Sequence, residues 1–367
     1  MFDTINPIDR LSSRVRQLAP ANADAEVDAA IHQAIDEGFE RGELQSGQLD
    51  QLFVKTRRQV LQYGELQPLI DDPNIEEIWI NAPDRIFVAD QTGNRHLDLN
   101  LSAATIQAIV ERMLRDSGRR IDRSMPFADA TLPDGSRLHV VIPDVTKTHW
   151  SVNIRKFSQK IFSMDDLVAS GTLSKPQSQW LTAKVRAHKN VLVSGATQAG
   201  KTTLLCALLD ALDSAERIIT IEETYEIKSR ALDWVALQAR QANLEGVGEI
   251  DLRKLIREAL RMRPTRIIVG EVRQGEALDL LIALNSGIAG LGTIHANSAA
   301  NAIDKLKLLP LLAGENIPAE FIERAVGYCI DVVVHCVFDP QRGRRVDQIV
   351  ELNHVDGKTA LSEVRFD

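Results

Sequence analysis

Few residues of this chain are aromatic, 5% of 367, and its charge has no basic excess: 51 acids against 43 lysines and arginines leave a net charge of -8. A nucleic-acid surface depends on clustered cations and stacking rings, so no nucleic-acid partner is expected. The three cysteines, Cys206, Cys329 and Cys336, form no C-x-x-C pair, which argues against a disulfide framework and fits a reducing cytoplasm. No stretch approaches the roughly 18 uninterrupted apolar residues of a membrane span, and the first residues lack a basic start followed by an apolar core. Any membrane association is therefore expected to be peripheral. Internal repeats and low-complexity tracts are also missing. What remains is 44% apolar content, on a length that suggests two or three domains with sizeable cores.

The stretch Gly195, Ala196, Thr197, Gln198, Ala199, Gly200, Lys201, Thr202 and Thr203 matches G-x-x-x-x-G-K-[ST]. Its flanks matter more than the match: residues 190–194 read as a buried strand and 203–209 as an apolar helix. A strand, a loop and a helix in that order are what a phosphate-binding P-loop needs. Successive N–H groups then converge on an anion at the positive end of the helix dipole. All nine residues are candidate ATP contacts, with Lys201 reaching the β- and γ-phosphates and Thr202 ligating Mg2+. A chance turn ending in Gly-Lys-Thr would lack these flanks. Gln198 stands where many such loops have another glycine, and the cradle survives only if it holds dihedrals that glycine adopts more readily.

Before the loop, residues 1–64 read as helices with no chemistry, a bundle that either docks to partners or is purely structural. Residues 65–160 turn to α/β, with strands at 75–80, 85–89, 137–142 and 150–155 and an amphipathic helix at 104–117. Arg137 begins one strand and Arg155 ends another. They face a neighbouring nucleotide site or are solvated strand-end charges, and the residues alone favour the second reading. Helices at 164–174 and 176–188 lead into the P-loop strand.

After the loop, from 201 to 367, strand and helix alternate as a mostly parallel sheet requires, and ligands sit at the carboxyl ends of such strands. Strand 217–221 ends in Glu222 and Glu223, with Glu226 three residues on. This cluster could hold Mg2+ or orient water, or be an acidic loop start. Helix 251–263 precedes strand 266–270, which ends in Glu271 in the form of a Walker B strand, except that Gly270 occupies the place where an aspartate often holds Mg2+ through water. Glu271 would polarise the attacking water, with Arg273 contacting a phosphate or fixing Glu271; a structural glutamate is the plainer alternative. Strand 291–294 delivers His295 with Asn297 beside it. A lone histidine is commonly structural. Here it is the fourth strand end to bring a polar group to one crevice, so it is expected to sense the γ-phosphate or couple it to motion. Helices at 299–312 and 319–327 follow. Strands at 331–337, 345–352 and 361–365, with turns at 339–343 and 355–357, form a hairpin-like tail.

Taken together the motifs resemble the secretion ATPase superfamily, and within it the pilus-assembly branch of Flp or Tad systems. The resemblance rests on the P-loop, on residues 219–226 (ITIEETYE) as an "Asp box", 259–273 (ALRMRPTRIIVGEVR) as an atypical Walker B, and 293–298 (TIHANS) as a "His box". Residues 64–70, 74–78 and 132–137 are similar to the domain preceding the motor in that branch. The resemblance implies an α/β fold: a RecA-like P-loop motor domain (161–367), preceded by a smaller α/β domain (65–160) and an N-terminal helical segment (1–64). It implies ATP and Mg2+ as ligands and a homo-hexamer peripherally bound to the inner face of the cell membrane. There it would act on inner-membrane pilus platform proteins and, through them, on pilin. It also turns Arg137 and Arg155 into nucleotide-contacting arginines and adds Arg240, in the loop after the Asp box. Two departures stand out: Glu223 replaces the usual aspartate, and the approach to His295 is shorter and lacks a Gly-His pair. No tetracysteine zinc module is present, which separates this chain from the type II secretion branch. A type IV secretion ATPase shares the boxes and is the near alternative. A RecA-like nucleic-acid motor and a non-hydrolysing nucleotide scaffold are the distant ones.

Overall fold

The computed structural model describes residues 7–19, 24–42, 44, 49–90, 93–156, 162–242, 247–314, 316–339, 341–355 and 358–366. The expected turn at Asp356 and Gly357 and the expected boundary at 160/161 lie outside these residues. Two compact units are present, Met1–Gln159 and Lys160–Asp367.

The first unit begins with helices α1 (Pro7–Leu18), α2 (Asp24–Glu40) and α3 (Leu49–Leu61). Val27 and Ile31, one turn apart on α2, are buried together with Val15 of α1 and Val60 of α3. After a short helix α4 (Gln67–Asp71) come strands β1 (Ile75–Ala82), β2 (Arg85–Asp90) and β3 (Gly93–Leu97), helix α5 (Ala103–Asp116), and strands β4 (Phe127–Thr131), β5 (Arg137–Val141) and β6 (Ser151–Arg155). These strands make one antiparallel sheet in the order β3-β2-β1-β6-β5-β4. Alternating Ile78, Ile80, Leu138, Val140, Val152 and Ile154 bury one face of it under α5, which Ser102 caps by accepting the Thr105 N–H.

The second unit opens with α6 (Met164–Ala169) and α7 (Lys175–Arg186), each started by a capping box, Ser163 with Asp166 and Ser174 with Gln177. The chain then alternates: β7 (Val191–Gly195), α8 (Lys201–Asp210), β8 (Ile218–Glu222), β9 (Trp234–Gln238), α9 (Leu252–Ala259), β10 (Arg266–Val272), α10 (Glu276–Asn285), β11 (Ala289–His295), α11 (Ala299–Leu308) and α12 (Ala319–Cys329). Strands β12 (Val332–Asp339), β13 (Gly343–Val355) and β14 (Lys358–Glu363) finish it. The eight strands share one sheet, ordered β14-β13-β12-β7-β11-β10-β8-β9, parallel from β12 to β9 and antiparallel through the tail.

Every residue of β7 and β8 is buried, as expected for strands covered on both faces. One face packs on α9 to α12 and the other on α6 to α8. At the base of β10, Arg266 is fully buried. Its guanidinium donates to both carboxylate oxygens of Glu216, at 2.7 and 3.0 Å, and to the Val185 carbonyl that ends α7, at 2.9 Å. All three cysteines are buried free thiols, and burial pushes Cys206 up to about 11 and Cys336 up to about 12, far from reactive thiolates at neutral pH.

Candidate functional site

The sheet order puts the carboxyl ends of β7, β11 and β10 side by side. Gly195 closes β7, and a Cβ there would run into the Cys336 carbonyl of β12, so glycine alone lets the chain leave the strand at this point. Gly200, with φ of 89°, caps α8 in the left-handed region. The first turn of α8, which carries Lys201, Thr202 and Thr203, therefore presents the N–H end of the helix to the loop. Gln198 has φ of 64° and so does hold the conformation the cradle demands. Ala196, Thr197 and Gln198 are exposed, whereas Ala199 is buried beneath them.

Lys201 is buried, with its Nζ donating to the Ala196 carbonyl at 2.9 Å and lying 3.3 Å from His295 Nδ1. His295 ends β11, and its Nε2 is 2.7 Å from Glu271 Oε1, close but off the line of a good hydrogen bond. Arg273 donates to the other oxygen, Oε2, at 2.5 Å. The strand carrying Glu271 runs on to Val272 instead of ending at Gly270, with an irregular register between Val269 and Val272. Four side chains that are 94 residues apart at the extremes thus form one line: cation, imidazole, carboxylate, cation.

An ammonium has donors only, so Nδ1 of His295 must accept and Nε2 carries the proton that faces Glu271. Burial, and then the Lys201 charge, hold the imidazole below its ordinary value, against the opposing pull of Glu271. For Glu271 burial alone would raise the carboxyl. The Arg273 hydrogen bond and the charges of Arg273, His295 and Lys201 outweigh it, and the group lies below its ordinary value. At neutral pH the pair is therefore neutral imidazole beside ionised carboxylate.

The acids after β8 are arranged differently from a simple metal-binding cluster. Glu222 is buried, and its Oε1 accepts the N–H groups of Glu226 and Ile227, both at 2.7 Å, so this oxygen shapes the loop. It is Glu226 that meets Thr202, whose hydroxyl donates to Oε2 at 3.3 Å. Glu223 is exposed. The geometry also accounts for Gly270, because a Cβ there would come within 2.9 Å of Glu222 Cγ. The space that an acid on β10 would need is filled by an acid from β8.

Arg240 follows β9, at the far edge of the sheet from β7, and its Nε donates to the Gly248 carbonyl at 2.9 Å within its own loop. It does not join the Lys201–His295–Glu271 line. Arg137 and Arg155 belong to the first unit, where they are register partners on β5 and β6.

The family model described as type II/IV secretion system protein matches residues 60–333. The chain belongs to that family. Among its relatives, a putative conjugal transfer protein of Mycobacterium tuberculosis is 34% identical over 303 residues, 80% of this chain and 86% of the relative. The type IV secretion system protein VirB11 of Bartonella henselae is 28% identical, over 83% of this chain and 92% of its own length. The ATPase DotB of Legionella pneumophila superposes with a TM-score of 0.57 at 17% identity, covering 77% of this chain and 78% of that one, which is a likeness of fold. The secretion-ATPase fold, a domain preceding an ATPase domain, is the one expected from the sequence.

In this secretion ATPase the donors around Thr202 fit a Mg2+ ion of the P-loop kind, which takes few protein oxygens and completes its shell with phosphate and water. Thr202 and Glu226 would hold it. Among the described residues no cluster of three or more His, Cys, Asp or Glu side chains could hold a metal by itself. Two contributors escaped the sequence reading. Glu276, buried at the start of α10, accepts the N–H groups of Arg273 and Gln274 and so fixes the turn beyond Glu271. Arg344 donates from Nε to the Gln198 carbonyl at 2.9 Å, across 146 residues of sequence. Glu276 follows Gly270-Glu-Val-Arg-Gln-Gly275 closely enough to be suspected as a cap; Arg344 carries no local signal at all.

Proposed function

We propose that this chain is an ATP-hydrolysing motor of a membrane-associated secretion machine, built as a homo-hexamer on the inner face of the cell membrane. The observation that carries the reading is the line Lys201–His295–Glu271, joined at the carboxyl ends of adjacent parallel strands beside a P-loop. The loop N–H groups and Lys201 bind the β- and γ-phosphates. Glu271, kept ionised by Arg273, accepts a proton of the water that attacks the γ-phosphate and orients it, while Arg273 fixes the carboxylate. His295 touches both the phosphate-binding lysine and the water-orienting acid, so it transmits a change at one to the other. Mg2+ supplies charge neutralisation between the phosphates when bound. Glu222 and Glu223 shape and flank this wall. Arg137, Arg155 and Arg240 would add positive charge to a nucleotide, Arg240 from its loop at the far edge of the sheet, outside the crevice of its own Lys201. The division into residues 1–64, 65–160 and 161–367 is part of the same proposal.

Within the class, the domain before the motor and the helical N-terminus favour assembly of a Flp or Tad pilus, with pilin moved through an inner-membrane platform. A second reading, type IV secretion or conjugation, is favoured by the names of the relatives in Mycobacterium and Bartonella. Deleting the gene separates them: loss of surface pilin supports the first, and loss of transferred protein or DNA with pilin intact supports the second. Hydrolysis itself is tested by Glu271→Gln, which should bind ATP normally and lose at least about a hundredfold in turnover, the scale of a removed catalytic proton acceptor. Unchanged turnover would refute the role of Glu271. Mixing Arg137→Ala with Lys201→Ala subunits should restore part of the activity if the site is shared between protomers.

A further inference from the structure

The strand β12 runs parallel to β7 up to the pair Cys336 and Gly195, then continues past the end of β7 through Val337, Phe338 and Asp339 before β13 returns. The turn is built tightly: Asp339 accepts the N–H groups of Gln341 and Arg342 at 2.8 and 3.2 Å. This hairpin therefore overhangs the P-loop. From its returning strand, the stem of Arg344 passes Gly200, with Cδ 3.4 Å from where a Cβ of that glycine would lie, and Nε donates to the Gln198 carbonyl at 2.9 Å.

Gln198 is the one non-glycine residue of the loop with positive φ, a conformation that an L-residue leaves readily for the right-handed region. In a trans peptide the C=O and the following N–H point in opposite directions. Fixing the Gln198 oxygen outward on Arg344 therefore turns the Ala199 N–H inward, where it donates to the Ala196 carbonyl at 3.3 Å, the same oxygen that receives Lys201, and closes the turn of the loop. If the peptide turned over, the loop would lose the Ala199–Ala196 bond and Arg344 its acceptor.

We propose that Arg344 is a positioning residue of the nucleotide site, bracing Gln198 in its left-handed conformation so that the loop keeps, before nucleotide arrives, the turn that closes Ala199 onto Ala196. This rests on the reading of the loop as an ATP site. It accounts for a P-loop that tolerates glutamine where glycine would be the easier residue: the hairpin supplies the conformational bias that the side chain at 198 works against.

The test measures ADP affinity by calorimetry and steady-state ATP hydrolysis on the full-length protein. Arg344→Ala should weaken ADP binding about fivefold, the worth of one net hydrogen bond, and raise KM for ATP by more than it lowers kcat. Arg344→Lys should recover part of the loss. In a Gln198→Gly background the penalty of Arg344→Ala should shrink below about twofold, since glycine adopts positive φ without a brace. Unchanged affinity in Arg344→Ala overturns the proposal. An equal penalty in both backgrounds also overturns it, because Arg344 would then act on the nucleotide directly. Should Arg344→Ala fail to fold, Arg344→Lys against Arg344→Gln in the two backgrounds gives the same comparison. Failure of the wild-type chain to bind ADP would instead overturn the ATP-site reading, and is seen before any variant is made.

Discussion

Replacing Gly270 by alanine places a methyl group 2.9 Å from Cγ of Glu222. Glu222 is 2% exposed and cannot swing into solvent, and its carboxylate holds the N–H groups of Glu226 and Ile227 at 2.7 Å. Making room therefore pulls the oxygen off at least one of them. A hydrogen bond to a charged group contributes roughly 1.5–3 kcal/mol, and crowding in a packed site adds to its loss, so the substitution should destabilise the second unit by roughly 2–4 kcal/mol. Hydrogen exchange of the β8 and β10 amides in mild denaturant reads this opening free energy locally, without requiring the whole chain to unfold in one step. With Glu222→Ala the space is free, and Gly270→Ala should cost less than about 0.5 kcal/mol there, a coupling of about 2 kcal/mol. Equal costs in the two backgrounds would refute the idea that these positions share one volume.

Three further outcomes are expected. Glu216→Gln leaves the Arg266 guanidinium buried without its counter-charge and should cost roughly 3–5 kcal/mol by the same exchange measurement; a change under about 1 kcal/mol would contradict the pairing. His295 and His335 both lie below the ordinary value of 6.5, chiefly through burial, so each binds fewer protons when folded. Stability is then complete above about pH 6.5 and declines as pH falls through the folded values. The denaturation midpoint should drop as pH falls below about 6.5, less so in His335→Asn, and a flat profile would refute this. In light scattering the protein with ADP should be larger than a monomer; a monomer under all conditions would sink the ring.

The parallel sheet was legible because strands buried on both faces read as apolar runs, as in residues 191–193 and 267–269, and because polar residues follow those runs at the strand ends. Lys201, Glu271 and His295 were identified that way and do meet. Strands β3, β4 and β9 were not foreseen. β3 (GNRHL) is exposed almost throughout, and β9 is an edge strand only half-buried along its length, so neither shows a period of two. The different use of Glu222 and Glu226 was illegible for another reason. Which of two neighbouring acids turns inward is decided by backbone donors at 226 and 227 and by the missing side chain at 270, contacts between strands that spacing along the chain does not report. Arg344 lies 146 residues from its partner and was invisible on the same ground.

Arg266 and Glu271 stand at opposite ends of one short strand. At the first, a buried ion pair clamps β10 to α7 and to the segment before β8; at the second, the pairing with β11 slips between Val269 and Val272. The strand is thus rooted at one end by a buried charge pair and released from regular ladder pairing at the other, where Arg273 and Glu276, and not the neighbouring strand, set the position of Glu271.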